Sequence, residues 1–94
     1  MQSLDINLLI KSIIEKQSTI IGPLAIEQAN KVVGVKVSAD MGSIQVDGDP
    51  RQVLNNLVIQ YEKIFGLASV EVCKDAVREV QPTVPQKELP EILQ

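Results

Sequence analysis

Residues 49–80 read DPRQVLNNLVIQYEKIFGLASVEVCKDAVREV and hold the longest continuous helical pattern in the chain. The carboxylate of Asp49 can accept a hydrogen bond from a first-turn amide, and Pro50 has no N–H to leave unpaired, so this pair predicts a helix start. The apolar residues that follow have the three-and-four spacing of one helical stripe. They are Leu54, Leu57, Val58, Tyr61, Ile64, Phe65, Ala68, Val72 and Ala76.

Gly66 is the one residue in this run that disfavours a helix, at a cost of about 1 kcal/mol relative to alanine. The pattern therefore predicts one long helix, with a kink or a close contact at Gly66. An unbroken helix over the run would be roughly 45 Å long, whereas a compact domain of this size has a radius of gyration of roughly 12 Å. We expect such a helix to extend beyond its own domain and to favour self-association.

The N-terminal part of the chain has a second helical pattern over residues 3–21, with Ser3 or Asp5 available as a cap. Gly22 and Pro23 then interrupt this pattern. Proline clashes with the carbonyl four residues back, and it biases the preceding residue away from helical angles. The pair predicts a kink or a short break in the first helix.

Pro23 can also serve as the first residue of a new helical segment. The segment PLAIEQANKVV fits this interpretation, since Glu27 and Lys31 can pair across one helical turn. Gly34 follows the segment and is its candidate C-cap. We therefore expect the second helical segment to end at Gly34.

Residues 35–47 change from a helical period to an alternation of period two, which is typical of half-buried β-strands. Asp40, Met41 and Gly42 supply a turn between the two alternating runs, so the segment predicts a β-hairpin. After Val80 the sequence is rich in proline and predicts a tail or extended arm. The fold class is therefore α+β in the order αββα, with a single domain over residues 1–80 and a tail over residues 81–94.

An internal repeat relates the two helical parts of the chain. A shift of 44 residues aligns LIKSIIEKQSTIIGPLAIEQANKVV with VLNNLVIQYEKIFGLASVEVCKDAV, although two amphipathic helices of this composition could also align by chance. Small residues recur on one helical stripe in each copy, and they allow two helix backbones to approach closely. These residues are Gly22, Ala25 and Ala29 in the first copy and Gly66, Ser69 and Cys73 in the second. We predict that the two halves cross, or that two copies dimerise, at these six positions.

The amino-acid composition and net charge argue against several classes of protein. The formal net charge is −3, with nine basic and twelve acidic residues, so the chain lacks the basic face that nucleic-acid binding normally requires. Hydrophobic residues make up 45% and aromatic residues 2%, which predicts an aliphatic core. One cysteine cannot form an internal disulfide, and no apolar run is long enough to span a membrane. We expect a small acidic cytoplasmic protein that binds neither nucleic acid nor membranes.

Few residues have the potential for catalysis. The chain has no histidine, which removes the commonest general base and the commonest metal ligand. Lys74 lies beside Cys73, and a nearby cation can lower the pKa of a thiol. Cys73 also occupies the repeat position of Ala29, however, which favours a small packed side chain over a nucleophile. The sequence predicts no catalytic residue and no cofactor.

The carboxylates give two further patterns. Asp40, Asp47 and Asp49 cluster around the hairpin and could bind a cation. Each also has a separate structural explanation, as a turn residue, a strand residue and a helix cap respectively. We therefore predict no metal site. Near the end of the long helical run, acidic and basic side chains alternate and predict a solvated face with an Asp75–Arg78 pair. Its members are Glu71, Lys74, Asp75, Arg78 and Glu79.

These features favour a non-enzymatic interaction or regulatory module that acts as a homo-oligomer. An isolated two-stranded sheet is marginal, so we expect a homodimer in which two hairpins can join edge to edge into a four-stranded sheet. Unless the tail is disordered, Leu89, Ile92 and Leu93 could anchor it in a groove of an unidentified protein partner. The alternative is a ligand-binding sensor with an apolar pocket near a crossing of Gly22 and Gly66.

Overall fold

A computed structural model of the 94-residue chain describes residues 6–38, 40, 42–79 and 93. The elements, in order, are α1 (Ile6–Ile21), α2 (Leu24–Ala29), β1 (Val35–Val37), β2 (Ile44–Val46), α3 (Pro50–Phe65) and α4 (Leu67–Glu79). The described part is mostly helical with one antiparallel hairpin, so the predicted α+β class is confirmed. None of these helices is both long and apolar enough to cross a membrane.

The predicted long helix is in fact two helices, separated at Gly66. This residue has φ +82° and ψ −169°, a conformation that is essentially restricted to glycine. Its N–H donates to the carbonyl of Glu62 at 2.8 Å and closes α3, and α4 begins at the next residue. The chain turns here, and α4 packs against both α1 and α3. The prediction of one helix extending beyond its domain is therefore wrong, because the break lets the second apolar stripe enter the same core.

The first helix breaks at the predicted place. The N–H of Gly22 donates to the carbonyl of Ser18 at 3.0 Å, and Gly22 has φ +65°. Since L-amino acids with a Cβ rarely adopt positive φ, glycine suits this position. The Gly22-Pro23 interruption is thus a break between two helices rather than a bend within one.

The predicted end of the second segment is wrong. The helix α2 stops at Ala29, five residues before Gly34, because the side chain of Asn30 forms hydrogen bonds with Val37 of the hairpin. Gly34 has φ +93°, and a Cβ there would lie 2.4 Å from the carbonyl oxygen of Asp47. Its role is therefore to allow the hairpin backbones to approach, not to cap a helix.

Two local expectations about side chains also fail. Asp49 precedes α3 as predicted, but its carboxylate makes no capping hydrogen bond, and its backbone carbonyl accepts from the N–H of Val53 at 2.9 Å instead. Glu27 and Lys31 form no ion pair among the described residues, since Lys31 lies beyond the end of α2. The predicted caps Ser3 and Asp5, the turn residue Met41 and the tail residues other than Leu93 lie outside the described residues.

The core is almost entirely aliphatic, and Tyr61 is its one fully buried aromatic residue among those described. One face of the hairpin packs on α1 and α2, with Val35 and Val37 buried and Lys36 exposed between them. The largest fully buried apolar side chains of the core come from α1 and α3. They are Leu9, Ile10, Ile13, Ile14, Leu54, Leu57, Val58 and Tyr61.

Candidate functional site

The six predicted crossing residues divide into two groups. Ala25, Ala29, Ser69 and Cys73 are buried. Gly22 is half-buried and Gly66 exposed, and a Cβ built on either glycine meets no atom within 4 Å. The glycines therefore serve to turn the backbone, whereas the other four small residues lie at packed helix surfaces.

Two buried side chains make matching contacts with these small residues. Gln17 of α1 donates from Nε2 to the carbonyl oxygen of Ser69 at 3.1 Å. Tyr61 of α3 donates from its hydroxyl to the carbonyl oxygen of Ala25 at 2.6 Å. A shift of 44 residues converts Gln17 into Tyr61 and Ala25 into Ser69. Each short-side-chain surface is thus covered by the first helix of the opposite half, and the two hydrogen bonds are reciprocal.

Cys73 lies on the same buried surface of α4. Its Sγ accepts a hydrogen bond from Nε2 of Gln17 at 3.4 Å. Burial raises the pKa of the Cys73 thiol to about 11, against which the Gln17 hydrogen bond acts weakly. Burial also raises the pKa of the Tyr61 phenol, with a smaller contribution from Cys73. Both groups are protonated at neutral pH, so the Cys73 thiolate that a nucleophile requires is scarce.

The carboxylates around the hairpin each have a separate role. Oδ1 of Asp40 accepts hydrogen bonds from the Ser38 hydroxyl at 2.7 Å and from the Gly42 N–H at 2.9 Å. Both bonds lower the pKa of Asp40, and the bond from Ser38 has the larger effect. Asp47 and Asp49 are exposed. Within the described ranges, no three acidic or cysteine side chains come close enough together to hold a metal ion.

The charged face of α4 carries surface ion pairs. Arg78 Nη1 lies 2.6 Å from Oδ1 of Asp75, as the sequence predicts. Lys16 of α1 pairs with Glu79, which ties the end of α4 to α1. Solvent-exposed pairs of this kind typically contribute about 0–1 kcal/mol. They therefore orient the helices slightly and leave the packing of the core as the main source of stability.

The two edges of the hairpin differ. The register of the hairpin pairs Val35 with Val46 and Val37 with Ile44. The bonds from Ser38 N–H to Ser43 and from Asp47 N–H to Gly34 show that these four valine and isoleucine residues direct their backbone groups outward. On β1 the Asn30 amide donates to the Val37 carbonyl at 3.0 Å and accepts from the Val37 N–H at 2.8 Å.

The outer edge of β1 is further satisfied by the Val35 N–H, which donates to the Val32 carbonyl at 3.1 Å. On β2, by contrast, the outward N–H and C=O groups of Ile44 and Val46 make no hydrogen bond with any described residue. Both side chains are only half-buried, whereas Val35 and Val37 are buried. Among the described residues, the β1 edge therefore has partners for all its outward groups except the Val35 carbonyl, whereas the β2 edge has none.

Large apolar side chains are exposed around both helix breaks. They occupy the last turn of the first helix and the first turn of the second in each half of the chain. Their exposed fractions are Ile20 63%, Leu24 43%, Ile64 48% and Leu67 74%. We call these two surfaces the Gly22 corner and the Gly66 corner.

Sequence reasoning missed Gln17, Tyr61 and Asn30 as structural determinants. A signal for the first two was present, because the 44-residue alignment places Gln17 on Tyr61 within otherwise apolar stripes. Leu93, predicted to anchor the tail in a partner, is buried within the chain itself.

Comparison of the chain with protein-family models, with curated proteins and with solved structures finds no match.

Proposed function

We propose that the chain is a small non-enzymatic interaction module that acts as a homo-oligomer. The observation that carries this proposal is the exposure of large apolar side chains at the Gly22 and Gly66 corners. Isolated apolar residues are normal on protein surfaces, but grouped ones commonly mark contact surfaces. Here the grouping occurs twice, at equivalent places in a short chain.

We also propose that the two helical halves form a pseudo-repeat. The reciprocal bonds Gln17 to Ser69 and Tyr61 to Ala25 support this, since the 44-residue shift exchanges them. The burial of Leu9, Ile10, Ile13 and Ile14 is likewise matched by that of the aligned residues of α3. A repeat of this kind gives the module two similar corners, and each can be covered by the same partner surface.

The state of the buried polar groups supports a non-enzymatic role. Among the described residues, no buried side-chain nitrogen or oxygen lacks a hydrogen-bond partner. Gln17 and Tyr61 are committed to backbone carbonyls, and burial holds Cys73 in its protonated form. These groups stabilise the helix packing through hydrogen bonds within the chain.

We propose a second copy of the chain as the occupant of the corners. Fully burying one leucine or isoleucine side chain contributes about 1.5–3 kcal/mol. Covering the four partly exposed side chains on each copy therefore contributes a free energy comparable with the lower part of the cost of association, which is about 4–15 kcal/mol. The corners can contribute substantially to a homo-oligomer of moderate affinity.

The test is the solution mass, measured by light scattering from low to high micromolar concentration. We expect masses that are multiples of the chain mass of 10.3 kDa. A monomer over the whole range would overturn the proposal. The corner surface is tested with Ile64→Ser, and Ile59→Ser is the matched control on the same helix with a similar exposure of 42%. Ile64→Ser should weaken association, and equal behaviour of the two variants would rule out the corner as the contact.

A further inference from the structure

The two edges of the hairpin differ in how many of their outward backbone groups are hydrogen-bonded, and this difference suggests where copies of the chain meet. The outer edge of β1 is occupied by Asn30 and Val32 of the same chain. On the outer edge of β2, two N–H and two C=O groups, from Ile44 and Val46, have no hydrogen-bond partner in the described part of the chain. An unpaired strand edge of this kind is a template for another strand.

We infer that β2 pairs antiparallel with β2 of a second copy, giving a four-stranded sheet in the order β1–β2–β2–β1. This inference rests on the proposed self-association and adds a strand contact to the contact proposed at the corners. We call this contact the β2 seam. The pairing is isologous, because the same strand is used by both copies and a two-fold axis relates them.

The register of the β2 seam follows from the directions of the backbone groups. Ile44 and Val46 point their N–H and C=O groups outward, so Ile44 of one copy lies opposite Val46 of the other. Each such pair exchanges two hydrogen bonds, and the two pairs satisfy all the open groups of both edges. Gln45 then lies opposite Gln45 of the second copy, on the exposed face of the sheet.

The side chains of β2 fit this register. Ile44 and Val46 are half-buried on the helix-facing side, and in the β2 seam each gains an apolar neighbour across the strands. Natural open edges are commonly protected by lysine, proline or a bulge. Residues 43–46 read SIQV and contain no charge and no proline. Ser43 lies opposite Asp47 of the second copy, so no like charges face each other.

A second copy suits this edge better than a separate peptide strand. A peptide bound to β2 would itself leave a new outer edge unpaired. A second copy instead ends the sheet with its own β1, where Asn30 and Val32 of the same copy already bond three of the four outward groups and only the Val35 carbonyl has no described partner. The outer edges of the four-stranded sheet are therefore mostly occupied, and the β2 seam itself joins no more than two copies.

A charge exchange at Gln45 tests the β2 seam. Gln45→Lys and Gln45→Glu each place like charges opposite one another across the two-fold axis, and we expect each to raise the dissociation constant by roughly three- to tenfold. An equimolar mixture of the two variants should associate more tightly than either alone, because lysine then faces glutamate. Gln52→Lys and Gln52→Glu, on the exposed surface of α3, are the matched controls and should leave association unchanged.

The thermal unfolding of each variant separates this effect from a change in the hairpin itself. Lys36 lies beside Gln45 within one chain, so Gln45→Glu adds an attractive pair there and Gln45→Lys a repulsive one. That intrachain effect cannot produce recovery on mixing. Recovery therefore supports the β2 seam, and its absence in a chain that associates would overturn the seam while leaving the homo-oligomer in place.

Amide hydrogen exchange gives a second readout on the unaltered chain. The N–H groups of Ile44 and Val46 should become protected as the concentration rises, whereas that of Val37, already bonded to Asn30, should be protected throughout. Unchanged exchange of Ile44 and Val46 in an associated sample would exclude the β2 seam. A chain that stays monomeric at every concentration would instead remove the proposed self-association as a whole.

Discussion

The two halves of the chain start alike and end differently. In each, a sixteen-residue helix stops at a glycine with positive φ, and a second helix begins within the next two residues. The helix α2 then ends after six residues, whereas α4 continues for thirteen. The same local signal therefore fixes the break, and the surroundings decide how long the second helix becomes.

The difference arises at Asn30 and at Lys74, which the 44-residue shift aligns with it. Asn30 ends α2 and uses its side-chain amide to occupy the edge of β1. Lys74 remains inside α4 and lies one turn from Glu71. An amide that can imitate a peptide group competes with helix continuation, whereas a long flexible cation does not. The first half thus gives up helix length to hold the hairpin, and the second half keeps it to complete the core.

The largest expected effect comes from breaking the reciprocal contacts. Tyr61→Ala should lower the free energy of unfolding by about 3–5 kcal/mol, because it leaves a cavity and removes the hydrogen bond from the Tyr61 hydroxyl to the Ala25 carbonyl. Gln17→Ala, its counterpart, should cost less, about 1–3 kcal/mol, mainly through the lost hydrogen bonds to the Ser69 carbonyl and to Cys73 Sγ. Urea titration measures both. The control Tyr61→Phe removes the hydroxyl alone and should cost about 1 kcal/mol; a Tyr61→Ala loss no larger than that would contradict the contact.

The second prediction uses a position where only one half has a titratable group, Cys73 against Ala29. The folded-state pKa of Cys73 is about 11, above the unperturbed value of 9.0, so the folded chain holds the proton more tightly. The resulting stability is complete below pH 9 and is lost as the pH rises from 9 to 11, by at most about 3 kcal/mol. Denaturation curves across this range measure the loss.

Cys73→Ala makes this position match Ala29 and serves as the control. Its unfolding free energy should decline less between pH 9 and 11 than that of the unaltered chain, with the remaining decline above pH 10 assigned to Tyr61. A parallel decline in both proteins would show that Cys73 does not control this part of the pH dependence.

The third prediction compares overpacking at equivalent sites. Ala25→Leu and Ser69→Leu each add volume at a buried helix surface, against Tyr61 and Gln17 respectively, and should cost about 1–3 kcal/mol. Losses of similar size would support the matched packing of the two halves. Ala68→Leu is the control, since Ala68 is exposed on the same turn of α4 as Ser69 and should tolerate the larger side chain. If neither core substitution changed the melting temperature, the prediction of matched packing would be wrong.

How far the sequence predicts this fold depends on the range of the interactions that decide each feature. Pro50, the Gly22 break and the hairpin were predictable because nearest neighbours along the chain determine them. Gly66 was recognised as unfavourable in a helix, yet the full break was not predicted. About 1 kcal/mol of propensity does not reveal that α4 gains far more by packing on α1.

The features of the candidate surfaces were less accessible to sequence reasoning. The burial of Ser69 and Cys73 followed from the pattern of small residues, but their partner Gln17 lies more than fifty positions away along the chain. Which hairpin edge is open depends on the placement of Asn30, and a side chain that leaves its helix to bind a strand has no periodic signal. Long-range polar contacts therefore set the parts of the molecule that sequence patterns left undetermined.

The smallest expected effect concerns the two breaks themselves. Gly22→Ala and Gly66→Ala should each cost about 1–2 kcal/mol, because both positions have positive φ while neither added Cβ meets a neighbouring atom. The cost is therefore that of the backbone alone, and thermal unfolding measures it. Gly34→Ala gives the contrast, since its Cβ would also lie 2.4 Å from the Asp47 carbonyl and should destabilise the chain more. If Gly66→Ala were stabilising, the helix would be continuing through the break, and the two corners would no longer be equivalent.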